Sequence, residues 1–249
     1  YSRVSPDMHK AIFIFIPLIN YIYIYINSSM EIHAHSFDFA ITTYCQAKCR
    51  SCCRTDNITG NTIDWLTPTH MSYDVFNNIL DNSSDINLHR LEFCGELGDP
   101  MMHPNIEQFL DRAATQVDYV AINTNGGLRN PEWYTHAAKK YWRGPTPHKL
   151  KIVWGIDGMS HDTNWKYREG VDWKRAMDNM TAWFDNNGWG EWHFLIFEWN
   201  WHEIPAAYEY AKEHNIDLYF KINRRPHGLI TNESREKVNK LLEKYDGMY

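Results

Sequence analysis

The sequence has no cysteine after Cys94, no second closely spaced pair of cysteines and no excess of basic residues. Five cysteines is an odd number and three of them share one short segment, which does not fit a disulfide scaffold and favours a reducing, cytoplasmic setting. The formal net charge of −6 creates no basic field, so nucleic acid is not expected as a partner. With 43% hydrophobic residues over 249 positions, the chain is expected to bury one sizeable core.

A long uninterrupted apolar run is also lacking. The stretch at residues 12–26 is rich in isoleucine and aromatics, but it is shorter than the ~20 apolar residues of a membrane helix and contains a proline and an asparagine, so no membrane association is expected. Basic residues precede it, which leaves a signal peptide as an alternative. Because the composition changes before Met30, residues 1–35 are interpreted as an N-terminal tail, disordered or translated from upstream sequence, and residues 36–249 as the folded domain.

The strongest motif of the chain is a cluster of three cysteines. Cys45, Cys49 and Cys52 have the spacing C-x3-C-x2-C, which can turn three thiolates onto one small body within a tight loop. An iron–sulfur cubane held by three thiolates leaves one iron without a protein ligand, and such an iron can bind a substrate-like molecule. Zinc is the main alternative, although it usually takes two C-x2-C pairs or adds histidines. Cys53 and Cys94 are expected to be free thiols.

From Phe37 onward, strand patterns alternate with amphipathic helix patterns. Strands are predicted at residues 37–43, 91–94, 119–123, 150–156, 192–197 and 218–222. Six strand–helix units predict an α/β fold with one parallel sheet, and they are too few for a closed eight-unit barrel, so a partial (β/α)6 TIM-type barrel is expected. Val75 is predicted on the buried face of the first helix, and Pro104 is predicted to open the second. Polar residues follow each strand, where such folds carry their chemistry.

The cysteine spacing resembles the signature of the radical S-adenosylmethionine (SAM) superfamily, and the resemblance covers about residues 36–225. In that family SAM chelates the open iron of a [4Fe-4S] cluster, and an electron from the cluster cleaves SAM to release a 5′-deoxyadenosyl radical. The segment Gly98-Asp99-Pro100 is similar to the family's Gly-Gly-Glu-Pro stretch. Gly155-Ile156-Asp157-Gly158 looks like its Ser-x-Asp-Gly, with glycine in place of serine.

The resemblance implies contacts between these segments and SAM. Asp99 would face the ammonium group of SAM, but it is one carbon shorter than the family's glutamate, so Glu96 is an alternative, and Asp99 can instead cap the following helix. Arg168 lies where relatives often bind the SAM carboxylate; otherwise it is a solvated loop arginine. Asn125 either binds ribose or shapes a turn. The predicted cofactor-binding residues are Gly98, Asp99, Glu96, Asn125, Asp157 and Arg168.

The resemblance therefore implies a radical SAM enzyme with one [4Fe-4S] cluster that abstracts hydrogen from an unidentified peptide or small molecule. It also implies an electron donor such as flavodoxin or ferredoxin, and a glycyl-radical activating enzyme is a second option within the class. A non-enzymatic iron–sulfur or zinc protein stays open, because Cys53 or Cys94 could complete the metal shell. Since no cysteine follows Cys94 to hold auxiliary clusters, either one cluster suffices or the chain is a fragment.

Overall fold

The structure is a computed structural model that describes residues 11–16, 20–26, 32–33, 36–56, 58–84, 86–142 and 149–245. Near the N-terminus, β1 (Ala11–Ile16), β2 (Asn20–Ile26) and β3 (Ile32–His33) form an antiparallel sheet of their own. The remainder of the predicted tail lies outside the described residues. The division of the chain at residue 35 stays a prediction.

The rest of the chain is built on a second sheet of six parallel strands. These are β4 (Ser36–Phe39), β5 (Arg90–Phe93), β6 (Tyr119–Thr124), β7 (Leu150–Gly155), β8 (Trp189–Ile196) and β9 (Leu218–Ile222). They pair in chain order, with β4 and β9 at the two edges of an open sheet. This arrangement confirms the predicted parallel α/β fold of six units.

Helices follow each strand and cover one face of the sheet. They are α1 (Tyr73–Asp81), α2 (Ile106–Ala114), α3 (Pro131–Tyr141), α4 (His161–Trp165), α5 (Trp173–Phe184), α6 (Ile204–Glu213) and α7 (Asn232–Lys244). Several begin at a polar side chain that accepts a hydrogen bond from a free backbone N–H, as Ser72, Asn130 and Asp172 do. In the described part of the chain, no helix has the length and apolar character needed to cross a membrane.

Strand β8 shows how the two faces of the sheet differ. Trp192, Phe194 and Ile196 are fully buried, whereas the alternate residues are only partly buried. Because successive side chains of a strand point to opposite faces, one face packs into the apolar core and the other is left for polar residues. The open face of the sheet is therefore the face on which a polar site can be built.

Three local predictions differ from the structure. The first strand ends at Phe39, because the backbone of residues 41–43 bonds to residues 69–71 instead: Met71 N donates to Ile41 O (2.9 Å) and Thr43 N to Thr69 O (2.9 Å). The second helix begins at Ile106, two residues after the proline predicted to open it. Val75, which is predicted on the buried face of the first helix, is 49% exposed. The short helix α4 was not predicted; Ser160 caps it by accepting from Thr163 N.

Candidate active site

A cavity of about 950 Å³ lies at the C-terminal ends of the six parallel strands. Its lining residues come from the loops after β4 and β5, from β6, β7 and β8, from the α4–α5 connection, from β9 and the loop that follows it, and from α7. All of the predicted site residues except Asp157 line it, namely Cys45, Cys49, Cys52, Glu96, Gly98, Asp99, Asn125 and Arg168. The fold thus brings together residues that are separated by more than a hundred positions in the sequence.

The loop that carries the three cysteines is fixed by backbone contacts with two distant segments. Lys48 N donates to Glu169 O (2.8 Å), and Arg50 N donates to Tyr167 O (3.3 Å). From the loop after β9, Arg225 Nη1 donates to Ser51 O (2.9 Å). Ser51 itself has φ = 64°, a left-handed conformation that non-glycine residues seldom adopt. The cysteine loop is therefore held between the α4–α5 connection and the loop after β9.

The cysteine side chains form a set of sulfur donors facing one cavity. Burial raises the pKa of the Cys45 thiol to about 12 and that of Cys49 to about 11. A hydrogen bond with Cys53 lowers the pKa of Cys52 to about 6. Since a metal binds the thiolate form, two of these three thiols would lose protons on cluster binding. Three thiols on one cavity are the donor set that a cubane cluster with one open iron requires.

The two additional cysteines differ in position. Cys53 lines the cavity, and its Sγ donates to Glu96 O (3.0 Å). Cys94 follows β5 directly, and burial raises its pKa to about 12. Within the described residues, no group of three or more His, Cys, Asp or Glu side chains is arranged to hold a single metal ion.

The Gly98-Asp99 turn is joined to the start of the cysteine loop. Asp99 N donates to Tyr44 O (2.9 Å), and a Cβ atom at Gly98 would lie 2.3 Å from Thr42 O. Only glycine permits so close an approach of two backbones. The turn after β5 and the cysteine loop after β4 therefore form one unit.

The carboxylate of Asp99 is occupied by the protein itself. It accepts hydrogen bonds from Met101 N (3.0 Å), Thr124 Oγ1 (3.0 Å) and Asn125 N (2.9 Å), and it is 4% exposed. The bond from Met101 N caps the short 3-10 helix Pro100–Met102, which is the capping role weighed as an alternative. Contact between Asp99 and SAM stays a prediction. Glu96 is exposed at the cavity, and within the described residues its carboxylate has no hydrogen bond or ion pair.

Asn125 has the turn-forming contacts anticipated for it, and it also reaches the cysteines. Its Oδ1 accepts from Gly127 N (3.0 Å) and from Gln46 Nε2 (2.7 Å). Its Nδ2 donates to Cys45 Sγ, with 3.8 Å between the two atoms. Hydrogen bonds to cluster-binding sulfurs are one means by which a protein sets the reduction potential of a cluster. Asn125 would provide one to a cluster bound by Cys45.

Asp157 and Arg168 form a buried ion pair behind the cavity wall. Arg168 Nε lies 2.6 Å from Asp157 Oδ2, and Leu195 N donates to Asp157 Oδ1 (2.8 Å). The Asp157 side chain is fully buried and that of Arg168 is 18% exposed, so the alternative of a solvated loop arginine is wrong. A Cβ atom at Gly155 would lie 2.7 Å from Arg168 Nη2. The guanidinium group of Arg168 therefore occupies the space that a side chain at position 155 would need.

Sequence reasoning missed the polar residues of β8 and β9. His193 and Lys221 line the cavity, and Lys221 Nζ lies 3.0 Å from His193 Nδ1. His193 Nε2 lies 2.9 Å from Glu191 Oε1. The signal that could have found them is the period of two in β8, where Glu191 and His193 alternate with buried Trp192 and Phe194.

No protein-family model matches the sequence, and no curated protein matches it. Solved structures do match. SuiB of Streptococcus suis bound to S-adenosylmethionine is 14% identical, with a TM-score of 0.61 over 85% of this chain and 47% of that one. Native anSMEcpe with bound AdoMet is 12% identical, with a TM-score of 0.61 over 84% of this chain and 60% of that one.

Methylornithine synthase (PylB) is 11% identical, with a TM-score of 0.53 over 84% of this chain and 62% of that one. The chain spans about half the length of the first solved structures it matches. All three named proteins are radical SAM enzymes. The described domain, with its open sheet of six parallel strands, therefore has the fold of the radical SAM enzymes of known structure.

Proposed function

We propose that the protein is a radical SAM enzyme that binds one [4Fe-4S] cluster through Cys45, Cys49 and Cys52. The observation that carries the proposal is the convergence of these three thiols, the Gly98-Asp99 turn and Arg168 on one cavity, in a domain with the fold of radical SAM enzymes. The bound cluster and SAM would supply a carbon radical able to abstract hydrogen from a substrate in the cavity.

The residues of the chain bind and orient these groups. Asn125 donates to the Cys45 sulfur, and the carbonyls and carboxylate near Gly98 and Glu96 offer acceptors for the ammonium group of SAM. Arg168 offers its remaining guanidinium nitrogens to the SAM carboxylate, because only its Nε is committed to Asp157. Asp99 has a positioning role, since its hydrogen bonds join the turn after β5 to the end of β6.

The substrate is proposed to be a peptide or a small molecule. SuiB has been solved bound to the precursor peptide SuiA, and anSMEcpe with the Cp18Cys peptide. The cavity of about 950 Å³ can admit a side chain or a small metabolite beside SAM. An electron donor such as flavodoxin or ferredoxin and a cytoplasmic setting complete the proposal.

The test uses protein that has been loaded anaerobically with iron and sulfide. It should bind about four irons per chain, as a cubane requires. Addition of SAM should change its electron paramagnetic resonance spectrum, and dithionite with SAM should release 5′-deoxyadenosine and methionine. The Cys49→Ala variant is the control, because it keeps the barrel and lacks an assembled cluster. A fully loaded protein that neither responds to SAM nor cleaves it would overturn the proposal.

The position of Cys53 favours a second candidate, a non-enzymatic iron–sulfur or zinc protein. Its thiol lines the same cavity as the other three and would close the metal shell if it were a ligand. Cys53→Ala and Cys94→Ala should keep the iron content, whereas Cys45→Ala and Cys52→Ala should lose it. If Cys53→Ala also loses iron while Cys94→Ala keeps it, Cys53 is a fourth ligand, and the closed, non-enzymatic centre is favoured.

A further inference from the structure

The charges that line the cavity do not match the charge of the whole chain. The chain has a net charge of −6, but among the described residues only two carboxylates, those of Glu96 and Asp99, line the cavity, and Asp99 is committed to the fold. The cations that line it are Arg54, Arg168, Lys221, Arg224 and Arg225. Among the basic and acidic side chains of this lining, cations therefore outnumber carboxylates by five to two.

Three of these cations are bound to the side of the cavity that carries the cysteines. Arg168 pairs with Asp157, and Arg54 Nη2 donates to Thr43 O (3.0 Å). Arg225 Nη1 donates to Ser51 O and to Tyr167 Oη (3.0 Å). These contacts anchor the three arginines to the cysteine loop and the segments beside it. They leave Lys221 and Arg224 to be explained.

In the part of the chain that the structure describes, the only partner of Lys221 is a neutral side chain. Its Nζ lies 3.0 Å from Nδ1 of His193, and the tautomer with hydrogen on Nε2 lets His193 accept from Lys221 while donating to Glu191. Burial, followed by the charge of Lys221, lowers the pKa of His193, which agrees with a neutral ring. Glu191 cannot neutralise Lys221, because its other oxygen lies 2.9 Å from Lys151 Nζ.

Arg224 follows the end of β9 by two positions and lines the same cavity. Within the described residues it has no hydrogen bond and no ion pair. Lys221 and Arg224 thus offer an ammonium and a guanidinium group to the cavity without an anion from the protein. A guanidinium can donate two parallel hydrogen bonds to a carboxylate or a phosphate, and an ammonium adds a further charge-assisted bond.

We propose that Lys221, which His193 positions, and Arg224 form an anion subsite that binds a carboxylate or phosphate group of the substrate. The inference rests on the proposed function, which places SAM on the opposite, cysteine-bearing side of the cavity. It specifies that the substrate is anionic: the molecule attacked by the radical carries an oxyanion that is bound beside β8 and β9.

The experiment is equilibrium dialysis of labelled succinate and of labelled inorganic phosphate against the cluster-loaded protein, at constant ionic strength set with KCl. Saturable binding of one of the two probes is expected, and the better probe identifies the oxyanion. Lys221→Met and Arg224→Gln should each weaken that binding roughly tenfold, the loss of one charge-assisted hydrogen bond. Lys221→Arg should retain it.

Lys174→Met is the matched control, because it removes one positive charge from the exposed face of α5, outside the cavity. No saturable binding of either probe, or equal weakening in Lys174→Met, would overturn the subsite. Release of 5′-deoxyadenosine is measured on the same preparations. SAM cleavage without anion binding would overturn the subsite and leave the proposed function intact. Anion binding without SAM cleavage would overturn the proposed function and leave the subsite intact.

Discussion

The two sides of the cavity are built in opposite ways. On the side of the cysteines, formed by the loops after β4 to β7, the buried carboxylates are paired within the protein: Asp157 with Arg168, and Asp99 with Thr124 and Asn125. The exposed Glu96 is the exception on this side. On the side of the anion subsite, Lys221 and Arg224 face the cavity without an anionic partner. A pre-organised side suits a cofactor that is always the same. A side with unpaired charge is completed only when its ligand arrives.

This difference also separates stability from binding. Removing one member of a buried pair leaves its partner desolvated and uncompensated, so changes at Asp157, Arg168 or Asp99 should destabilise the fold. Changes at exposed cations should affect ligands and leave folding unaltered. The following variants test whether that division holds, beginning with the largest expected effect.

The largest loss of stability is expected for Arg168→Met. Asp157 is fully buried, and of the donors to its carboxylate in the described residues only the backbone N–H of Leu195 would remain, so the free energy of unfolding should fall by about 3–5 kcal/mol. Urea denaturation of the cluster-loaded protein measures it. Arg175→Met is the matched control, since Arg175 lies 3.9 Å from Asp172 on an exposed helix face and should cost less than about 0.5 kcal/mol. Equal losses would mean that the ion pair does not support the fold.

Asp99→Ala should lower the free energy of unfolding by less than Arg168→Met does. Compared with a change at Glu96, it should separate an effect on folding from an effect on SAM affinity. The variant leaves the backbone N–H groups of Met101 and Asn125 without their acceptor, so stability should fall by about 2–3 kcal/mol. Glu96→Gln should leave stability unchanged and weaken SAM binding roughly tenfold, because its carboxylate faces the cavity. Denaturation curves and SAM dialysis measure the two effects. If Asp99→Ala folds stably but binds SAM more weakly, and Glu96→Gln binds SAM normally, then Asp99 rather than Glu96 contacts the ammonium group.

The same division explains what the sequence could predict. The strands and their order follow from apolar runs with turn residues between them, and the cysteine side follows from motifs whose members are neighbours in the chain. The sequence analysis names Asp157 and Arg168 only as two separate candidates, because they are eleven positions apart with helix α4 between them. Lys221 and His193 belong to adjacent strands, and only the register of β8 with β9 brings them together. Helix α6 separates the two strands in the chain, so no local motif contains both residues.

Gly155→Ser tests whether the departure from the family pattern is linked to Arg168. A side chain at position 155 would lie 2.7 Å from Arg168 Nη2 and would displace the guanidinium from its place beside the cavity. SAM affinity should therefore fall roughly tenfold. In an Arg168→Met background, Gly155→Ser should cause no further loss of SAM affinity, since the guanidinium group that it would displace is absent. Additive losses in the double variant would show that Gly155 acts independently of Arg168.

The smallest effect distinguishes two adjacent arginines that the structure assigns to opposite sides of the cavity. Arg225 donates to Ser51 O in the cysteine loop and to Tyr167 Oη, whereas Arg224 has no such contact in the described residues. Arg225→Gln should loosen the loop by about 1 kcal/mol, so a chelator should remove iron from the loaded protein roughly fivefold faster. The total iron bound should not change, because no ligand is lost. Arg224→Gln should leave the rate of iron removal unaltered while it weakens anion binding. If both variants lose iron at the same faster rate, positive charge near the cluster retains the iron more than the hydrogen bonds of Arg225 do. The two sides of the cavity would then not be independent.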